Sequence, residues 1–169
     1  MSDQKRLGEA RTVLSGDDER IASSSIGCMI EAAGYDARIA VSGPWSRIQS
    51  SGSQVQIASC GTGADIASSG YFDHIASAGN AAYIASSGEN ARIACSGINP
   101  RVDSCGLNTV IACADSVHHF RVGPRGCIAV PWHDGSRIRF ATLYEGEQIK
   151  AGVWYALNRR GEPIEIENP

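Results

Sequence analysis

The chain is 169 residues long, with 15 Lys and Arg against 18 Asp and Glu, a formal net charge of -3, and 19 glycines. That is one domain's length. It is too near neutrality for a polybasic nucleic-acid binder, so direct nucleic-acid binding is not expected, and it holds no apolar run of the roughly 18 residues that a membrane helix needs.

From the N-terminus, Met1 to Arg6 has no apolar stretch behind it, so a secretory leader is not expected and a cytoplasmic location is. Residues 1–15 place Leu7, Ala10, Val13 and Leu14 at helical spacing, which fits a short capping helix; a tail is the alternative.

Residues 16–114 repeat with a period of nine. Ile stands at 21, 30, 39, 48, 57, 66, 75, 84, 93 and 111, with Val102 filling the gap; Gly opens every unit except the one that begins at Ser25. Within a unit, position 6 is the Ile, position 4 is mostly small, and position 8 is nearly always Ser, Ala or Cys. Position 5, of the other parity, is mostly polar: Arg20, Arg38, Arg47, Gln56, Asp65, His74, Arg92, Arg101. Alternation of this kind is a strand with one buried and one wet face. The glycine marks a bend that needs either φ > 0 or a close backbone approach. Each unit is then one strand and one turn, and the fold class is all-β: a parallel β-solenoid. Two units per coil give two sheets back to back, with three units per coil as the alternative. At two, the eleven units make five and a half coils, roughly 26 Å of rod at ~4.8 Å per coil. Buried position-8 hydroxyls would find partners on the turn backbone.

A degenerate twelfth unit runs from Asp115 with Phe120 in the Ile position, and the solenoid is read as residues 16–122. Residues 123–169 hold five of the eleven aromatics. Strand-like runs at Cys127–Trp132, Arg137–Tyr144, Val153–Leu157 and Ile164–Glu167, with a hairpin turn at His133–Ser136, predict a small antiparallel β cap with an aromatic core. This cap closes the rod, and it is also the place where a homodimer would form.

Chemistry is sparse. The six cysteines show no C-x-x-C spacing, and Cys95 and Cys113, one coil apart, read as core fillers. His118, His119, Cys127 and His133 match no zinc pattern. The second glycine of calcium-binding nonapeptide rolls is missing. There is no nucleophile elbow, P-loop or zinc-protease motif, and Asp73-His74 reads as an exposed variation of the repeat. The expectation is a non-enzymatic protein without metal or cofactor. What remains is surface. The candidate interaction residues are Arg38, Trp45, Arg47, Tyr71, Phe72, His74, Tyr83, Arg92 and Arg101 on the rod, with Trp132 and Trp154 on the cap: exposed aromatics as anchors, arginines as their polar complement.

The G-x-x-x-R-I-A-S-S-G unit, followed by Gly126-Cys127-Ile128-Ala129, Trp132, Gly146 to Lys150 and Trp154 to Asn158, resembles small bacteriophage and prophage proteins that join tandem Gly/Ser/Ala repeats to a W-Y-x-L-N tail. The resemblance covers roughly residues 16–167 and implies a phage-derived solenoid made inside a bacterium. The expected function is binding: inhibition of a host protein or ribonucleoprotein complex, such as a CRISPR or other antiphage effector. The alternative is a phage structural or assembly module that self-associates.

Overall fold

The structure, a computed structural model, describes residues 11–167. These form seventeen strands and no helix. One sheet stacks β1 (Arg11–Leu14), β3 (Met29–Ala32), β5 (Arg47–Ser50), β7 (Asp65–Ser68), β9 (Tyr83–Ser86), β11 (Arg101–Ser104) and β13 (His119–Arg121) in parallel. The other stacks β2 (Arg20–Ser23), β4 (Arg38–Val41), β6 (Gln56–Ser59), β8 (His74–Ser77), β10 (Arg92–Cys95), β12 (Val110–Cys113) and β14 (Cys127–His133). Successive strands alternate between sheets, and from β1 to β13 each pairs with the strand eighteen residues away, so Ile66 lies between Ile48 and Ile84. The coil therefore holds two units, and the rod has seven turns.

The isoleucines form the core. Ile48, Ile66 and Ile84 are 0% exposed, and Ile39, Ile57, Ile75 and Ile93 are 2% exposed. Each such burial contributes roughly 1.5–3 kcal/mol. Position 4 fills the corners with Ala37, Val55, Ala64, Ala82 and Ala91. Position 8 departs from expectation. The buried hydroxyls of Ser50, Ser59, Ser77, Ser86 and Ser104 have no hydrogen-bond partner among the described residues. The carbonyls beside them are spent on the ladder between coils, as in Ser51 N donating to Ala32 O. Turn carbonyls serve position 4 instead: Ser46 Oγ donates to Gly43 O at 2.7 Å and Thr109 Oγ1 to Gly106 O at 3.0 Å.

The turns assign two roles to two positions. The opening glycine is required by close approach: a Cβ on Gly34 or Gly61 would overlap the carbonyl of Gly16 or Gly43 in the adjacent coil. The left-handed residue lies two positions later, and it is seldom glycine: Asp18, Asp36, Trp45, Gln54, Phe72, Ala81, Asn90, Asn99 and Asn108 all have φ between 52° and 59°. For an L-residue this costs roughly 1–2 kcal/mol. The stacking bond offsets it, since the N–H of this residue donates to the next coil, as Trp45 N does to Thr62 O at 2.8 Å.

Parallel stacking runs beyond 16–122 at both ends. Arg11–Leu14, expected in a helix or tail, is a strand in register with β3; the rest of that expected segment, residues 1–10, lies outside the described residues. At the other end Ile128 stacks on Ile111 after a coil of seventeen residues. The antiparallel strands have no separate aromatic core. β15 (Ile138–Tyr144) pairs with β14 and extends the eight-stranded sheet. β16 (Trp154–Leu157) pairs with β13, and β17 (Pro163–Glu165) with β16, completing the nine-stranded sheet. Of the aromatics only Phe120 and Tyr155, ring centroids 6.0 Å apart, are buried together.

Candidate interaction surfaces

Positions 5 and 7 point outward, so each sheet displays two columns along the rod. On the nine-stranded sheet most charges are matched, Arg101 forming no ion pair among the described residues. Arg11 pairs with Glu31 at 2.8 Å, Arg47 with Asp65 at 3.1 Å and Arg121 with Asp103 at 2.6 Å. The last pair is bidentate, with a second bond at 2.7 Å, and it holds the Arg121 guanidinium above its ordinary pKa. The Trp154 ring is in contact with two guanidinium groups, 4.5 Å from that of Arg101 and 4.8 Å from that of Arg121; Arg101 also approaches Tyr83 at 5.4 Å. Burial, followed by the Asp103 charge, raises the Tyr83 hydroxyl pKa. Three of the sequence candidates, Tyr83, Arg101 and Trp154, are thus gathered, but around one another: they fasten β16 to the solenoid through cation–π contact. Trp132 is likewise half-buried, its ring lying where a Cβ on Gly161 would be. Asp103 and Arg121 were not among the sequence candidates, although their separation of one full coil, with opposite charges, was available to find them.

The eight-stranded sheet is different. Ala22, Ala40, Ala58, Ala76, Ala94 and Ala112 form an exposed ladder, rung on rung. Beside it run Arg20, Arg38, Gln56, His74, Arg92 and Val110, all exposed. Arg38 approaches Asp36 at 3.8 Å, and neither Arg20 nor Arg92 forms an ion pair among the described residues. A shallow lane of about 840 Å³ follows the alanines, with Phe140 of β15 among its walls. Arg38, His74 and Arg92 therefore share one column, as the period of eighteen requires. The turn aromatics are divided between the two edges of the rod. Trp45 precedes a strand of the nine-stranded sheet and lies over Gly63, while Tyr71 and Phe72 precede β8. Ile138 and Phe140, 70% and 62% exposed, were missed by sequence reasoning; their alternation in the strand was the available signal.

One further expectation changes. Asp73 is 1% exposed rather than at the surface. Its carboxylate accepts Val55 N–H at 2.9 Å and the Ser68 hydroxyl, and burial raises its pKa despite these bonds. The histidine and cysteine candidates are not gathered. The His118 and His119 rings are 4.0 Å apart, with the pKa of His119 lowered by burial, whereas Cys127 pairs with Val110 on the other sheet and His133 Nδ1 accepts Gly135 N–H. Among the described residues no three His, Cys, Asp or Glu side chains are grouped to hold a metal ion. Cys95 and Cys113 stack in register, both buried, and hydrogen bonding between them, then burial, pushes the Cys113 thiol up.

No protein-family profile and no solved structure matches the chain. The uncharacterized protein YdhT of Escherichia coli (strain K12) is similar over 45 residues at 49% identity. That stretch is 26% of this chain and spans 17% of the length of YdhT.

Proposed function

We propose that the protein is a non-catalytic binding scaffold whose eight-stranded face docks an acidic, partly apolar protein surface. The observation that carries this reading is the exposed alanine ladder beside the Arg20, Arg38, His74 and Arg92 column. A rigid flat strip loses little conformational entropy on docking, and cations of one sign favour a negative partner. The tail's likeness to phage and prophage proteins directs the search for that partner to bacterial host complexes, antiphage effectors such as CRISPR complexes among them. Inhibition would then follow from occupying the effector's surface rather than from chemistry.

The test is affinity capture from host lysate with the full chain, beside a variant carrying Arg38→Glu and Arg92→Glu. A stoichiometric partner retained by the first and lost by the second is the expected result. A partner retained equally by both would refute the assignment of this face.

A further inference from the structure

The two sheets end differently at the C-terminal end of the rod. The nine-stranded sheet ends in β17, which has three residues, begins with Pro163 and has Glu165 paired with Lys150 at 2.9 Å. A short edge with proline and charge resists further pairing. The eight-stranded sheet ends in β15, which has seven residues, no proline, and Ile138, Phe140 and Tyr144 exposed on one face. Its backbone is open in a defined register. Tyr144 N donates away from β14, to Gln148 Oε1 at 2.9 Å. By alternation along an antiparallel strand, the N–H and C=O groups of Ile138, Phe140 and Thr142 also point away from β14. Among the described residues no backbone hydrogen bond of the turns or loops reaches them.

We infer that β15 pairs antiparallel with β15 of a second copy of this chain, about a twofold axis at Phe140. The register is set by the three open residues. Phe140 faces Phe140 of the other copy, and Ile138 faces Thr142 in both directions, giving three hydrogen-bonded pairs without displacing Gln148. Charge is compatible with the same partner and direction, since Arg139, which would lie diagonally across from Arg139 of the other copy, is already paired with Asp134. Arg137 lies at one end of the strand and Glu145 and Glu147 at the other. The twofold sets Arg137 diagonally across from Glu145, within reach of long side chains, whereas parallel pairing would bring like charges together. The joined sheets would form one continuous face, with the alanine ladders of the two copies running in the same direction but offset along the strands by the four residues that separate Thr142 from Ile138, about 13 Å.

Sedimentation of the full chain reads this directly. The expected mass is twice 17.8 kDa, falling to 17.8 kDa for Phe140→Lys with its circular dichroism spectrum and cooperative unfolding retained, because the side chain is exposed in the single chain. In a background carrying Cys60→Ser and Cys105→Ser, Phe140→Cys should form a covalent dimer on mild oxidation, since Cα atoms of facing hydrogen-bonded residues lie about 5.5 Å apart. Ile138→Cys, which faces Thr142, should not. A wild-type chain that stays at 17.8 kDa up to its solubility limit, or a dimer that survives Phe140→Lys, overturns the inference. Neither result depends on whether the alanine face captures a host partner.

Discussion

The two outer faces of the rod are built on the same backbone period and the same isoleucine core, yet one is electrostatically closed and the other open. On the nine-stranded side, acids stand one coil from arginines, and the last cluster, Tyr83, Arg101, Asp103, Arg121 and Trp154, is occupied with itself. On the eight-stranded side, arginines stack above and below arginine, glutamine or histidine with alanine alongside. The repeat sets where side chains point; the choice at two outward positions per unit decides whether a face holds the protein together or is available to something else.

The comparison can be broken most severely from beneath. Ile66→Asp buries an unpaired charge between Ile48 and Ile84 and should abolish the folded rod, read as loss of the cooperative thermal transition in circular dichroism. Next comes the closed face. Asp103→Ala leaves Arg121 without its bidentate partner, and we expect a loss of about 1.5–3 kcal/mol in urea unfolding. Hydrogen exchange should also rise selectively over Trp154–Leu157.

Asp73 sharpens the picture of the interior that the two faces share. Its pKa is raised in the folded state, so the folded protein holds this proton more tightly than the unfolded chain does. Its contribution to stability is complete below the ordinary carboxylate value of about 3.9 and declines as pH rises from there through the raised value. Asp73→Asn keeps an acceptor for Val55 N–H, and it should remove this decline and be at least as stable as wild type at pH 7. Unfolding free energies measured across pH 3–8 for both proteins test this, and an identical pH slope would refute it. The smallest effect belongs to the open face. Arg92→Ala and Ala58→Lys should each alter stability by less than about 0.5 kcal/mol. A larger loss would mean that this face too is structural.

Much of the rod was legible because its information is periodic. Ile at every ninth residue with alternating parity dictates strands of fixed register, and the thin two-sheet coil follows from one large side chain per unit. The glycine was legible as a constraint but not as to which constraint, because steric overlap with the next coil depends on how closely coils stack. The strand Arg11–Leu14 was hidden because Thr12 stands in the Ile position and Leu7 where the glycine would be. The fate of the tryptophans was not legible at all. Trp154 meets Arg101 and Arg121 only because β16 turns back antiparallel onto β13, a pairing that no local pattern encodes. Asp73 was misplaced for a different reason: its parity with Ile75 was in the repeat and places it inside, but its residue type argued for the surface, and only the folded chain shows Val55 and Ser68 supplying it with donors.

The two-unit coil has a consequence for how such a chain can lengthen or shorten. Gain or loss of eighteen residues adds or removes a whole turn and leaves every later strand on its own side. Gain or loss of nine would transfer all downstream strands to the opposite sheet, interrupting the alanine strip and carrying the terminal hairpin around to the other flank. Tandem-repeat slippage is therefore tolerable in even steps and ruinous in odd ones, so homologues of differing length should differ by multiples of eighteen.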